Sequence, residues 1–224
     1  MTAVLDDTGL LNDIRTALGG DVKARRAEVA QWMTRRQPGP LPSQAKLPAE
    51  SVLDAFNARA RSASCTVDVV HTVQEATAIL SAALQRWGVA PRLVASPDPL
   101  LRSWLEPCKS FQVRFGSPAP NDTVGVVLPI AAVAETGTLV LRSGATSPTA
   151  LAFLPDYLVA IVPRSRIVAT YEAGLERAIT DGSGGIPRCI NLITGPSRTA
   201  DIEEILLLGA HGPRTVHIVV IDGL

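Results

Sequence analysis

The sequence predicts a three-layer α/β fold built on a mostly parallel sheet that is covered on both faces. Short apolar segments rich in valine, isoleucine and leucine alternate with helical patterns along most of the chain. Hydrophobic residues make up 46% of the chain and charged residues only 19%, which excludes a disordered polyampholyte. With 224 residues, the chain is long enough for one domain, alone or with an extension.

The α/β domain is predicted to span residues 43–224, after a helical arm and a proline-rich linker in residues 1–42. A helical pattern over 10–36 is divided into two pieces at Gly19 and Gly20, because glycine is a poor helix former. The tract that follows carries three prolines, which remove backbone donors and fix φ, so we predict an extended linker there. Two placements of the arm stay open: it docks on the body or on another subunit, or it is a surface helical hairpin of the same domain.

Boundary signals support the predicted helices. Thr72 and Glu75 form a T-x-x-E capping box, in which the hydroxyl and the carboxylate satisfy free amides at a helix start. Gly88 fits the left-handed position at the end of this helix. Ser147 and Pro148 fit an N-cap and the first helical position. The predicted helices span 48–62, 72–87, a short segment that ends at 105, 147–154, 167–179 and 201–208.

Apolar, β-branched segments between these helices predict the strands. They are short and bounded by glycine, proline or polar residues, which is typical of strands buried in a parallel sheet. The segment 124–133 is interrupted by Pro129, which cannot donate to a sheet ladder. The predicted strands span 66–70, 92–95, 111–115, 124–133, 138–141, 157–162, 189–193 and 216–221.

The charge balance argues against a nucleic-acid partner, and the lengths of the apolar stretches argue against a membrane span. Lysine and arginine total 21, as do aspartate and glutamate, so we expect no nucleic-acid partner, because non-specific binding needs clustered cations. We expect no membrane span either, since no apolar stretch approaches the roughly 20 residues that one needs. Asp6 and Asp7 stand where a secretory leader carries basic residues, and we expect a cytoplasmic protein. A small carboxylate or phosphate ligand and a homo-oligomer both stay open.

The cysteines form no recognisable metal-binding motif. Cys65, Cys108 and Cys189 are far apart and no CxxC pair exists, so the close thiolate spacing of zinc and iron–sulfur sites is missing. We therefore expect three buried cysteines and no metal or other cofactor in this chain. His217 lies inside a predicted strand and is expected to pack in the core.

Three segments have compositions that core packing does not explain. The first places Glu135, Thr136, Gly137 and Thr138 at a sharp turn between apolar strands. Loops at strand ends line ligand crevices in open α/β sheets, and Glu135 there could be a nucleophile, a general base or a binder of a substrate hydroxyl. The alternative is structural: the polar groups satisfy turn amides and Gly137 supplies a positive φ.

The second segment is a strand-to-helix loop that carries Gly195, Ser197, Arg198 and Thr199, with Asp201 at the predicted helix start. Free amides at that helix start, together with Arg198, make the loop a candidate anion site for phosphate or carboxylate. The structural alternatives are a capping function for Asp201 and a salt bridge between Arg198 and a neighbouring acid.

The third segment places His211 between glycines, directly after an apolar helix end. An imidazole in that position can titrate near neutral pH and act as an acid, a base or an anion contact. It could instead cap the carbonyls of the preceding helix.

These segments together carry a family resemblance. The stretches AETGTLVL, SPTALAFLPDYLVAIVPRSRIV and INLITGPSRTADIEEILLLGAHGPRTVHIVVID follow one another in this order, and the chain resembles the lactate-utilization (LUD) domain family densely over 124–222. The resemblance implies a fold like that of ribose-5-phosphate isomerase, glucosamine-6-phosphate deaminase and CoA transferases. It also implies a part in the oxidation of L-lactate to pyruvate, with the iron–sulfur clusters held by partner proteins.

The leading hypothesis for the matching residues rests on this resemblance together with the missing cysteine motif for a redox centre. Arg198 would pair with a substrate carboxylate, while Glu135 and Thr136 would hold a hydroxyl. The chain would then be a subunit of an oxidoreductase complex without a redox centre of its own. Two alternatives stay open: a stand-alone enzyme of the acyl- or CoA-transferase or phosphosugar-isomerase kind that uses Glu135, and a ligand-sensing module without turnover. The other matching residues are Gly137, Thr138, Gly195, Pro196, Ser197, Thr199, Asp201, His211 and Gly212.

Overall fold

Two units, residues 1–41 and residues 42–224, make up the chain. The first unit contains helix α1 (Thr8–Leu18) and helix α2 (Val22–Arg35), which confirms the two predicted helical pieces. Half of the predicted linker, residues 37, 38 and 41, lies outside the described residues, and the division into an arm and a separate domain stays a prediction. Among the described residues, no helix has both the length and the apolar character needed to cross a membrane. The computed structural model describes residues 8–19, 21–35, 39–40, 42–180, 185–199 and 207–224.

Six parallel strands form the central sheet of the second unit. Each neighbouring pair in this sheet runs in the same direction, so crossover segments must return the chain to the same edge each time. This confirms the predicted mostly parallel sheet. In spatial order the strands are β1 (Thr66–Val70), β12 (Thr215–Ile221), β7 (Tyr157–Pro163), β4 (Val124–Val127), β2 (Arg92–Ala95) and β3 (Gln112–Phe115).

Both faces of this sheet are covered, so it is the middle of three layers. Helices α4 (Val73–Trp87) and α5 (Pro99–Leu105) pack on one face, and helix α3 (Val52–Ser62) packs on the other. Side chains along β7 alternate between the two cores: Leu158 packs on the α3 side and Val159 on the α4 side. This alternation confirms the predicted α/β class.

A second, four-stranded sheet lies on the α3 side of the central sheet. Strand β5 (Ala131–Val133) pairs in parallel with β8 (Ile167–Val168) and antiparallel with β6 (Thr138–Arg142). Strand β6 in turn pairs antiparallel with β9 (Ile190–Ile193). Its other face packs against helix α6 (Tyr171–Thr180), around Val133, Val140 and Ala178. The spatial order of the four strands is β8, β5, β6 and β9.

This second sheet corrects two predictions. The predicted strand 124–133 is two strands in different sheets, because Pro129 cannot continue a ladder and the chain changes direction there. The predicted helix 167–179 begins only at Tyr171, since the two residues of β8 pair with β5 instead.

Two further helix predictions differ from the structure. Over 147–154 there is only a 3-10 turn at Thr149–Ala152, because Ser147 closes a tight turn with Gly144 and donates its amide to that residue's carbonyl at 3.1 Å. The predicted helix 201–208 lies mostly outside the described residues. Its last two residues form strand β11 (Leu207–Leu208), which pairs antiparallel with β10 (Arg198–Thr199).

The cysteines are less uniformly buried than predicted. Cys65 is buried, Cys108 is half-buried and Cys189 is exposed. Cys189 directly precedes β9, which is an edge strand of the second sheet, so the prediction of three buried thiols is wrong at this position.

The capping box at the start of α4 is confirmed in a shifted form. The Thr72 hydroxyl accepts a hydrogen bond from the Glu75 amide at 3.2 Å. The Glu75 carboxylate reaches back one residue further than usual and accepts from the amide of His71 at 2.8 Å. Two amides at the helix start are therefore satisfied, and α4 ends at Gly88 as predicted.

His217 is a fully buried histidine in β12, as predicted. Its Nδ1 atom lies 2.7 Å from the Thr66 hydroxyl, and its Nε2 atom lies 3.6 Å from a carboxylate oxygen of Asp68. The ring also meets the Trp87 ring edge to face. Burial lowers the pKa of His217, and the nearby Asp68 charge opposes this effect only in part.

The His217→Gln variant is expected to weaken the dependence of stability on pH. The folded state favours the neutral imidazole, so the unfolded chain takes up a proton first as the pH falls below 6.5. Stability from this group is therefore complete above that pH and is lost as the pH falls. Urea unfolding between about pH 7.5 and pH 5 measures the effect. Equal slopes for the parent and His217→Gln would contradict the assignment.

Candidate functional site

Hydrogen bonds join the three motif segments into one junction. The hydroxyls of Thr138 in the first segment and Thr194 in the second lie 2.6 Å apart. Ser197 links the second segment to the third, because its amide donates to the Pro213 carbonyl at 2.8 Å and its hydroxyl accepts from the His211 amide at 3.4 Å. The structure thus brings together residues that are widely separated in sequence. This motif junction consists of residues 134–138, 194–199 and 209–214.

Two glycines let the junction pack directly against the end of α3. Gly137 and Gly195 have φ values of 71° and 85°, in the left-handed region that glycine adopts without strain. A Cβ atom on Gly137 would overlap the backbone of Ala60, and one on Gly195 would overlap the carbonyl oxygen of Ala63. Both segments therefore approach the helix more closely than any other residue type allows.

The Thr138 hydroxyl is the centre of a polar network. Thr138 is fully buried, and its oxygen lies 2.7 Å from the Thr136 hydroxyl, 2.6 Å from that of Thr194 and 2.9 Å from that of Tyr171. A hydroxyl offers one donor and two acceptor sites, so these three partners use its full capacity. The network fixes Thr136 and Thr194 relative to the start of α6.

Glu135 is a nearly buried carboxylate beside the start of α6, with 8% of its surface exposed. One of its oxygens accepts a hydrogen bond from the Tyr171 amide at 3.2 Å, and its own amide donates to the Ala169 carbonyl at 3.0 Å. The first amides of a helix lack acceptors within the helix, so an acidic side chain is a favourable partner. Glu135 is held in a fixed orientation, from which a carboxylate can accept a hydrogen bond from a ligand hydroxyl.

Arg198 is anchored at the C-terminal end of α3 but remains exposed. Its Nη2 atom donates to the carbonyl of Ala63, the C-cap residue of that helix, at 2.9 Å. A cation is favourable at this end of a helix. Because a guanidinium carries five N–H donors, one carbonyl contact leaves Arg198 able to bind a carboxylate or a phosphate as well.

Cys65 lies close to Arg198 in the same region. Burial raises the pKa of its thiol to about 11, although a hydrogen bond from the Gly195 backbone and the charge of Arg198 both act in the opposite direction. The thiol is therefore protonated at neutral pH, and a protonated thiol is a poor nucleophile and metal ligand. Within the described part of the chain, no group of three or more His, Cys, Asp or Glu residues could hold a metal ion.

The structure describes two of the remaining predicted site residues, His211 and Thr199, but not Asp201. His211 has an exposed side chain next to Ser197, Thr199 lies in β10, and Asp201 falls outside the described residues. Sequence reasoning missed Tyr171, which bonds Thr138 from 33 positions away. Thr194 is the first residue of the second segment but was not singled out as a site residue, although its hydroxyl bonds Thr138.

Comparison with known proteins gives a consistent family assignment. The LUD domain family matches residues 123–221. The protein named "Lactate utilization protein C" from Geobacillus kaustophilus is 35% identical over 182 residues, which are 69% of this chain and 75% of that protein. Proteins of the same name from Shouchella clausii and Bacillus licheniformis are each 42% identical, over 101 and 108 residues. These two matches cover 44% and 46% of this chain and span only 44% and 45% of the relatives' lengths.

A solved structure shares the fold. The crystal structure of a DUF162 family protein from Deinococcus radiodurans superposes with a TM-score of 0.56 at 21% sequence identity. The match covers 79% of this chain and 99% of that chain. It supports the α/β architecture described above.

The Thr138→Val substitution is expected to lower the free energy of unfolding by about 1–3 kcal/mol, because three hydroxyl partners lose one hydrogen bond each. Urea unfolding of Thr138→Val, Tyr171→Phe and the double variant measures this effect. Since the two hydroxyls bond each other, the double variant is expected to lose less than the sum of the single losses. Strict additivity would contradict the network.

Proposed function

The chain belongs to the LUD domain family, and on that premise we propose that it is a component of a lactate-utilization system. In this system it assists the oxidation of L-lactate to pyruvate together with iron–sulfur partner proteins. The observation that carries the proposal is the alignment with the Geobacillus kaustophilus protein named "Lactate utilization protein C", which extends over 69% of this chain and 75% of that protein.

The proposal assigns electron transfer to the partners. Oxidation of a hydroxy acid to a keto acid removes an electron pair, which needs an acceptor. Iron–sulfur clusters are held by several closely placed thiolates, whereas the three cysteines here are far apart in sequence and form no CxxC pair. These features support a division of labour in which the clusters belong to other proteins.

The motif junction is the part of this chain that the proposal places at the substrate. Arg198 is the carboxylate contact, because it is exposed and fixed in position by the Ala63 carbonyl. Glu135 and Thr136 are the contacts for the hydroxyl, since both are held at the same turn. This arrangement binds and orients a hydroxy acid and leaves the redox step to a partner.

Reconstitution with the partner proteins tests the proposal. The chain is co-expressed with iron–sulfur proteins of a lactate-utilization system, and lactate-dependent dye reduction is measured with and without the chain. We expect the rate to be lost when the chain is omitted and restored when the purified chain is added back. An unchanged rate without the chain would refute the proposal.

The Arg198→Gln variant tests the substrate contact within the same assay. Loss of a charge-assisted hydrogen bond is expected to raise the KM for lactate about tenfold. The matched control is Arg92→Gln, which removes the same charge from an exposed position at the start of β2 and is expected to leave KM unchanged. An unaltered KM in Arg198→Gln would remove Arg198 from the substrate site and leave the reconstitution result to stand by itself.

A further inference from the structure

The order of strands in the central sheet creates a crevice between β2 and β4. From β2 the chain continues to β3 on one side, whereas from β4 it continues, by way of the second sheet, to β7 on the other side. The segments that leave the two carboxyl ends therefore diverge. Such a divergence point is the usual place for ligand binding in open α/β sheets.

A cleft of about 860 Å³ lies at this point. Asp98, which follows β2, and Leu128 and Ile130, which follow β4, contribute to its wall. The volume is within the range of about 300–1,000 Å³ that is common for sites of small organic ligands. None of the lining residues belongs to the motif junction, so this is a separate place on the molecule.

The lining of the cleft is strongly basic. Arg142, Arg166 and Arg188 contribute to it, whereas Asp98 is the only acidic residue among the described lining residues. The Asp98 carboxylate caps α5, where it accepts a hydrogen bond from the amide of Leu100 at 2.8 Å. Its negative charge therefore interacts with the start of that helix. Three guanidinium groups along one cleft favour a ligand with more than one negative charge.

Backbone contacts hold two of these arginines at the cleft. The Nη1 atom of Arg166 donates to the Pro129 carbonyl at 2.7 Å, and the Nη2 atom of Arg142 donates to the Gly185 carbonyl at 2.9 Å. Arg188 is exposed at the rim. Hydroxyl groups of Thr146 and Ser147 also line the cleft, and they suit a ligand that carries oxygen atoms besides its charged groups.

We propose that this cleft binds a small organic anion that carries two or more negative charges, as phosphate or carboxylate groups. Guanidinium groups recognise both chemistries through paired hydrogen bonds. The proposal concerns a site apart from the motif junction and does not depend on the proposed part in lactate oxidation.

Calorimetric titration of the full chain with inorganic pyrophosphate and with citrate tests this site. We expect at least one probe to bind, with an affinity that falls as salt is added. The probe that binds more tightly tells whether the site prefers phosphate or carboxylate. Failure of both probes to bind at millimolar concentrations would overturn the proposal.

Two charge-matched variants place the binding in the cleft. Arg188→Gln is expected to weaken binding about tenfold, and its unfolding midpoint should equal that of the parent because Arg188 is exposed. Arg92→Gln removes the same charge at the opposite end of β2 and is expected to leave binding unchanged. Equal affinities in the parent and Arg188→Gln, or equal losses in both variants, would overturn the proposal.

Discussion

The close approach of two glycine backbones to the C-terminal end of α3 is the contact on which the rest of the second unit depends. Helix α3 is fixed to the central sheet through Phe56 and Ala60, which are fully buried in the core on that side. Gly137 and Gly195 bring strands β6 and β9 of the second sheet to the end of the same helix. One helix end therefore connects the two sheets, and packing at this distance leaves no room for a side chain.

This constraint explains the composition of the motif segments. Thr138 and Thr194 lie next to these two glycines, and the hydrogen bond between their hydroxyls links the two segments that approach the helix. The same approach places Arg198 at the carbonyl of Ala63, to which it donates a hydrogen bond. The residues that the sequence indicates as a ligand-binding turn therefore also stabilise the fold. The structural role and the proposed ligand-binding role fall on the same motif junction.

Local patterns in the sequence were sufficient for much of the fold. Short runs of apolar, β-branched residues predicted the central strands, and the signals at Thr72 and Gly88 predicted the ends of α4. The second sheet was missed because its pairing is non-local: β8 has only two residues, and its partner β5 lies far earlier in the chain. Short strands of this kind have no pattern of their own, since the partner decides their conformation.

The candidate site was predictable in its members but not in its connections. Glycine and hydroxyl residues at strand ends singled out the first two segments, yet no local signal shows that Thr138 and Tyr171 share a hydrogen bond. The basic cleft was not predicted either. Arg142, Arg166 and Arg188 lie on three different segments, and only the fold brings them to one wall.

The measurement that tests the central contact most directly is amide hydrogen exchange in Gly195→Ala, compared with Gly144→Ala as the control. Gly144 has open space around its Cβ position, so alanine there should leave exchange nearly unchanged. In Gly195→Ala we expect faster exchange in β6 and β9, with a stability loss above about 1 kcal/mol. Exchange rates in β6 and β9 that match those of the Gly144→Ala control would contradict the contact between the second sheet and the end of α3.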